Sequence, residues 1–190
     1  MIAKMLFALL VPCALAFAAQ DPSALIKAKD QELQTLLKKK NRDTKETETV
    51  KHLINDIFNF ESLARKSLPS KTYKALPDSS RASFVAEFKR MVENSSVKKL
   101  EFYKADSTRY EASVIKGEDA KVTAHVWNKG KESVLLYKLE LVNGDWKAWD
   151  LVIDDLSTAE NYKKQFSQIL EKKTFADLMD IIRKNADDSK

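Results

Sequence analysis

Few residues in this chain have the type and spacing to do chemistry. Among 190 residues there are two His and one Cys. His52 has Asp56 four positions on, which places an imidazole and a carboxylate on one helix face. That spacing could serve an acid–base dyad, but it reads more simply as a solvated surface pair. His125 shares a strand face with Thr123 and Trp127. With no local carboxylate or second ligand, it reads as structural or exposed. Cys13 falls in a segment read below as removed, which leaves the mature chain without a thiol. A disulfide scaffold, a cysteine nucleophile and a Cys-ligated zinc or iron–sulfur site are then excluded. Two imidazoles at most could serve a metal. There is no glycine-rich phosphate loop, no Ser–His–Asp order and no metal-ligand spacing. The expectation is no metal ligand, no cofactor and no catalytic residue, with Asp150 the one carboxylate that needs its surroundings before it can be placed.

The N-terminus reads as an address. Lys4 supplies a positive start, Met5 to Leu15 is an apolar run, and Ala16-Phe17-Ala18 fits a small-x-small cleavage site before Ala19. The apolar run falls short of the roughly 20 residues needed to span a bilayer. Acylation at Cys13 would want a small residue where Pro12 stands. Residues 1–18 are therefore expected to be a signal peptide and 19–190 a single exported domain. Such a chain without cysteine reads as periplasmic. The 33 basic and 28 acidic residues give a net charge of +5. The lysines come as scattered pairs plus Lys38-Lys39-Lys40, not as one stripe interleaved with aromatics, which argues against nucleic acid as a partner.

The elements follow from periodicity. Asp21-Pro22 marks a helix start, followed by Leu25, Ala28, Leu33, Leu36 and Leu37. A second helix from about Thr44 carries Val50, Leu53, Ile54, Ile57 and Phe58. Pro69 and Pro77 bracket an expected loop around Tyr73. From Asp78 a long helix carries Phe84, Phe88, Met91 and Val92 and continues towards Leu100 and Tyr103. Gly117, Gly130 and Gly144 divide residues 109 to 154 into four strands joined by three tight turns. Ser157 to Glu160 has the form of a capping box. It opens a helix with Tyr162, Phe166, Ile169 and Leu170, and a last short helix from Thr174 carries Phe175, Leu178, Ile181 and Ile182. The expected fold class is α+β: helices over 22–103, a four-stranded antiparallel meander over 109–154, and helices over 158–184.

With Asn143-Gly144 as a two-residue turn, Leu141 faces Trp146, Leu139 faces Ala148, Tyr137 faces Asp150 and Leu135 faces Val152. One sheet face is then apolar except for Asp150. A carboxylate in that setting could be a general base with a raised pKa. It could equally be structural, hydrogen-bonded to Tyr137 or to a helix N-terminus, and this second reading is preferred.

Several segments, in order along the chain, resemble the MlaC (toluene-tolerance) family. Ile57-Phe58-Asn59-Phe60 with Leu63-Ala64 is similar to its Phe-Asp-Phe segment. Arg81, Phe84, Phe88 and Met91-Val92, closing at Leu100 and Tyr103, are similar to its Phe-rich helix. Asn143 to Asp150 resembles its Gly-x-Trp-Lys-x-Tyr-Asp turn. Ser157, Asn161-Tyr162, Gln165-Phe166 and Ile169-Leu170 resemble its Ser-x-x-x-Asn-Tyr-x-x-x-Phe helix. The resemblance covers residues from about 57 to 185. Three positions depart from it: Ser96 stands where the family has Tyr, Asp155 where it has Gly, and Asn59 where it has Asp.

The resemblance implies a periplasmic phospholipid carrier with an NTF2-like fold and no enzymatic activity. Its partners would be an outer-membrane lipoprotein complex and an inner-membrane ABC transporter complex, in the upkeep of outer-membrane lipid asymmetry. Two acyl chains of roughly 30 methylenes, at about 0.8 kcal/mol each, make free lipid in water unfavourable by roughly 25 kcal/mol gross. The tail pocket is expected to be walled by Phe60, Leu63, Phe84, Phe88, Met91, Leu135, Tyr137, Leu139, Tyr162 and Phe166, the inward stripes of four elements. Two alternatives stand beside this one: an NTF2-like small-molecule enzyme using Asp150, and a structural periplasmic binding module with a filled core.

Overall fold

A computed structural model describes residues 20–38, 43–99 and 105–188, with 97–99 as backbone. The expected leader lies outside these residues, as do Leu100 and Tyr103.

Helix α1 (Pro22–Leu37) starts as its sequence predicts, with Asp21 accepting a hydrogen bond from the Ala24 amide and Pro22 in the first turn. Helix α2 (Thr44–Ile57) opens on a capping box made by Asp43 and Glu46, and buries Val50, Leu53, Ile54 and Ile57. Asn59 caps α3 (Phe60–Lys66). The expected loop around Tyr73 is instead a short helix, α4 (Ser70–Ala75). Pro69 and Pro77 bound it without interrupting it, since proline is tolerated at a helix start and beyond its end. The long helix α5 spans Asp78–Lys99.

Six strands follow in place of the expected four: β1 (Ser107–Tyr110), β2 (Val114–Lys116), β3 (Asp119–Asn128), β4 (Lys131–Val142), β5 (Asp145–Ile153) and β6 (Leu156–Ser157). All pairs are antiparallel, in the order β1-β3-β4-β5-β6 with β2 also on β3. The first expected strand is thus split into β1 and β2 at residues 111–113. The start of α1 docks on that break: Ser23 donates to the Glu111 carbonyl at 2.8 Å, and Ser113 donates to the Asp21 carboxylate. The two-residue β6 extends the other edge.

The β3–β4 turn is Lys129-Gly130 and the β4–β5 turn is Asn143-Gly144, with positive φ at all four residues. That is the mirror-image turn whose twist matches the strands. Between Leu139 and Lys138 the β4–β5 register shifts by one residue. Leu141 still faces Trp146 and Leu139 still faces Ala148. Beyond them Tyr137 faces Leu151 and Leu135 faces Ile153, while Asp150 faces Lys138. The inferred pairs Tyr137–Asp150 and Leu135–Val152 are therefore wrong. A bulge at Trp149 inserts one residue, and because side chains alternate with period two, everything after it changes face.

Helix α6 (Thr158–Leu170) and helix α7 (Phe175–Asp188) complete the chain, the latter longer than the short helix expected. Apolar side chains gather in two cores. One is helical, built from α2, α3, α5, α6 and α7 around Phe84, Phe88, Phe166, Leu178 and Ile182. The other lies against the sheet, where Ile26 of α1 and Ile57 of α2 cover Ala120, Val122, Leu139, Trp146 and Ala148. The Asn59 amide donates to the Ala148 carbonyl at 2.8 Å and the Asn59 side chain to Glu140 at 2.8 Å. The first of these bonds occupies the open edge of β5 before β6 begins, and the second reaches β4 beside it. The second bond needs an amide donor, which asparagine has and an aspartate lacks.

Candidate functional site

Where the helical core meets the sheet, the packing leaves a cavity of about 250 Å³. Helix α2 contributes Ile54 and Ile57 to its wall, and Phe58, Phe60 and Leu63 follow from the next turn of chain. The sheet contributes Val126, Leu135, Tyr137, Leu151 and Ile153. Leu151 and Ile153 reach the cavity only because the bulge turns them to the face of Tyr137 and Leu135. The remaining wall is more polar: Asp30, Leu33 and Gln34 of α1, Val92, Ser95 and Ser96 of α5, and Thr158 and Tyr162 of α6.

Of the ten residues singled out from sequence, Phe60, Leu63, Leu135, Tyr137 and Tyr162 line this cavity. Phe84, Phe88, Met91 and Phe166 sit in the helical core, each at most 4% exposed. Phe84 and Phe88 are one turn apart on α5, as are Tyr162 and Phe166 on α6. The Phe88 ring meets Tyr162 edge-on at 5.0 Å and Phe166 at 5.8 Å. This geometry holds two helices together. Leu139 is buried in the sheet core.

Sequence reasoning missed the α1 and α2 walls and Ser95, Ser96, Leu151 and Ile153. A signal for α1 was present: its inward stripe runs Ile26, Asp30, Leu33 and Leu37, so one charged residue stands among buried apolar ones. Ser96 is itself part of the wall, where its small side chain takes up little of the space.

The polar groups around the cavity are mostly engaged. Tyr110 donates to Asp30 at 2.5 Å, and burial together with that carboxylate holds the phenol well above its ordinary pKa. Burial also raises Tyr162, partly offset by its hydrogen bond with Ser95.

Asp150 is fully buried and does not line the cavity. It accepts hydrogen bonds from Ser157 Oγ at 2.7 Å, from the Ala159 amide at 3.0 Å and from Lys138 Nζ at 2.9 Å. Ser157 in turn accepts from the Glu160 amide at 3.1 Å. The carboxylate thus fastens the first turn of α6 to β5, the helix N-terminus alternative, with Lys138 in place of the Tyr137 partner considered from sequence. His125 corrects another expectation: Glu111 and Glu132 lie at 2.8 and 2.7 Å from its two nitrogens, and its ring stacks on Trp127. These two carboxylates raise its pKa.

Helices closing an apolar cavity against one face of an antiparallel sheet define an α+β cavity protein. A phospholipid-binding protein from Ralstonia solanacearum, solved in complex with a phospholipid, has the same fold. Its TM-score is 0.73 at 19% identity, covering 89% of this chain and 98% of that one. No curated protein matches significantly. The MlaC protein family model matches residues 27–184, and the chain belongs to that family. The match begins well before residue 57 and takes in most of α1 and all of α2, the two walls that the segment-by-segment resemblance had left out.

Proposed function

We propose that this protein is a periplasmic phospholipid carrier that encloses acyl tails between helices and sheet, in the manner of NTF2-like cone-shaped folds. In this reading it passes lipid between an outer-membrane lipoprotein complex and an inner-membrane ABC transporter complex, contributing to outer-membrane lipid asymmetry. The observation that carries the reading is the cavity itself. A packed domain seldom keeps a void of this size beside large apolar side chains, because unfilled volume costs roughly 24 cal/mol per Å³. A space lined by Ile54, Ile57, Phe60, Leu63, Leu135, Leu151 and Ile153 is one that tails would fill. Family membership and the lipid-bound relative support the same ligand class. The Asp150 carboxylate, already holding three donors away from the cavity, gives the enzyme reading no support.

At about 250 Å³ the cavity lies just below the roughly 300–1,000 Å³ of small-molecule pockets. Two tails need more, so loading requires the walls to part. The test is mass spectrometry of organic extracts from mature protein purified from periplasm. Wild type should yield phospholipid. Leu135→Glu, a change at a half-buried wall position, should yield none while circular dichroism stays native. A wild type that is lipid-free as purified and stays so after incubation with vesicles overturns the proposal.

A further inference from the structure

We propose that one end of the outer sheet face, around Trp149, Lys121 and Lys116, is a docking surface for an anionic phospholipid bilayer. Strand register brings its residues together. Lys138 of β4 stands directly opposite Lys121 of β3, and Val114 of β2 flanks Lys121 on its other side. At the β5 end of this row the Trp149 ring lies 5.2 Å from the Lys138 ammonium and 4.0 Å from that of Lys66 on α3. A shallow groove of about 350 Å³ runs among these side chains, with Lys116 and Asp119 also in its wall. Asp150 offsets Lys138 at 2.9 Å. Asp119 stands opposite Lys116 on one side and Glu140 on the other. Among the described residues no ion pair holds Lys66, Lys116 or Lys121. Lys121 thus stands beside a like charge and without an opposite one, a pairing that is unfavourable until an anion arrives. At the sheet edge, Val114 and Ile115 are 56% and 50% exposed, on a strand that pairs with β3 alone.

Lysines around an indole ring, with aliphatic side chains exposed beside them, suit the interface of an anionic bilayer. Size chooses between a bilayer and a protein. A specific protein interface takes roughly 20–30 residues a side, far more than this patch presents. A bilayer asks less, because each lysine near an anionic surface contributes about fivefold in partition, or about 1 kcal/mol. Three such lysines give a weak, reversible hold. Lys121 and Lys138 alternate with Val122, Leu139 and Tyr137, which face the helices, so the patch lies on the sheet face turned away from the cavity. Docking there leaves the cavity walls untouched.

The experiment floats mature protein with vesicles of equimolar phosphatidylglycerol and phosphatidylcholine, or of phosphatidylcholine alone, and measures the bound fraction. Wild type should partition about a hundredfold more strongly onto the anionic vesicles, with the gap closing in ~0.5 M salt. Lys116→Gln combined with Lys121→Gln should lower anionic binding about 25-fold. Lys172→Gln combined with Lys173→Gln, in the exposed turn between α6 and α7, removes the same charge and should lower it less than about twofold. All four side chains are exposed, so circular dichroism should stay native. Equal binding of wild type to both vesicle types overturns the proposal and leaves the patch to an acidic protein. Equal losses in the two double variants also overturn it, since the overall field would then suffice. Lipid extracted from the purified protein tests the carrier reading separately, and vesicle binding does not depend on its outcome.

Discussion

Asp150 shows what a buried carboxylate costs and contributes in this fold. With its side chain wholly enclosed, it would be strongly unfavourable if its oxygens were unmatched. Ser157, the Ala159 amide and Lys138 together satisfy both. Asp150→Ala should therefore destabilise the domain by about 2–3 kcal/mol, since it removes the tie to the helix start and leaves Lys138 without its partner. Urea denaturation measures this, and a loss under about 0.5 kcal/mol would show that α6 is held by other contacts. His125 supplies a pH-dependent counterpart. Its folded-state pKa is raised, chiefly by Glu111 and then by Glu132. The stabilisation from this pairing is full below the ordinary value of 6.5 and is lost as pH rises through the folded-state value. Wild type should therefore exceed His125→Gln in urea midpoint at pH 6, with the gap closing towards pH 8.5. A gap that widens with pH would contradict the assignment.

At the scale of elements, the two-residue turn after β5 carries backbone strain. Asp154 and Asp155 both have positive φ, 47° and 67°, a region where a Cβ costs roughly 1–2 kcal/mol, less for Asp. Asp155→Gly should raise the thermal midpoint, by about 0.5–1 kcal/mol in stability. Asp154 makes a poor choice for the same change, because its side chain accepts from the Val134 amide at 2.9 Å. An unchanged or lower midpoint in a calorimetric scan would mean that unfolded-state entropy outweighs the relief of strain. Elements of this kind were also the most legible from sequence. Caps at Asp21 and Ser157 and the turns at Gly130 and Gly144 are local chemistry. The bulge at Trp149 was not legible, because alternation runs unbroken through Trp146, Ala148 and Asp150, and only pairing with β4 exposes the extra residue. That single insertion misplaced Asp150 and hid Leu151 and Ile153. Core and cavity wall were equally hard to separate. Phe84 and Phe60 are both inward aromatics, and which of them meets a void depends on how whole helices pack.

For the molecule as a whole, the question is which wall parts when lipid loads. Helix α1 buries few residues, Pro22, Ile26 and Leu37. Much of its attachment is polar: Asp21 with Ser113, Ser23 with the Glu111 carbonyl, Tyr110 with Asp30, and Lys29 with Asp56 at 2.9 Å. Polar contacts that water can replace make it the wall that opens at least cost. Cysteines in place of Asp21 and Ser113, joined by a short bifunctional maleimide, should slow lipid uptake from vesicles about tenfold or more. The same variant left unjoined should load normally. Equal uptake rates in the two would show that the opening lies elsewhere.

The tryptophans give the sheet an optical character of its own. All three, Trp127, Trp146 and Trp149, stand on β3 and β5, and none lines the cavity. Trp146 is shielded, Trp149 lies 4.0 Å from the Lys66 ammonium and 5.2 Å from that of Lys138, and Trp127 stacks on His125 at 6.1 Å. An imidazolium quenches indole emission better than a neutral imidazole does, so the fluorescence of Trp127 follows the protonation of His125 in the unmodified protein. Tails entering beside Phe60 and Leu151 meet no indole. Intrinsic emission therefore reports two separate events, the acid–base state of the outer sheet face through Trp127 and any lifting of α1 from the sheet through Trp146, which Ile26 covers.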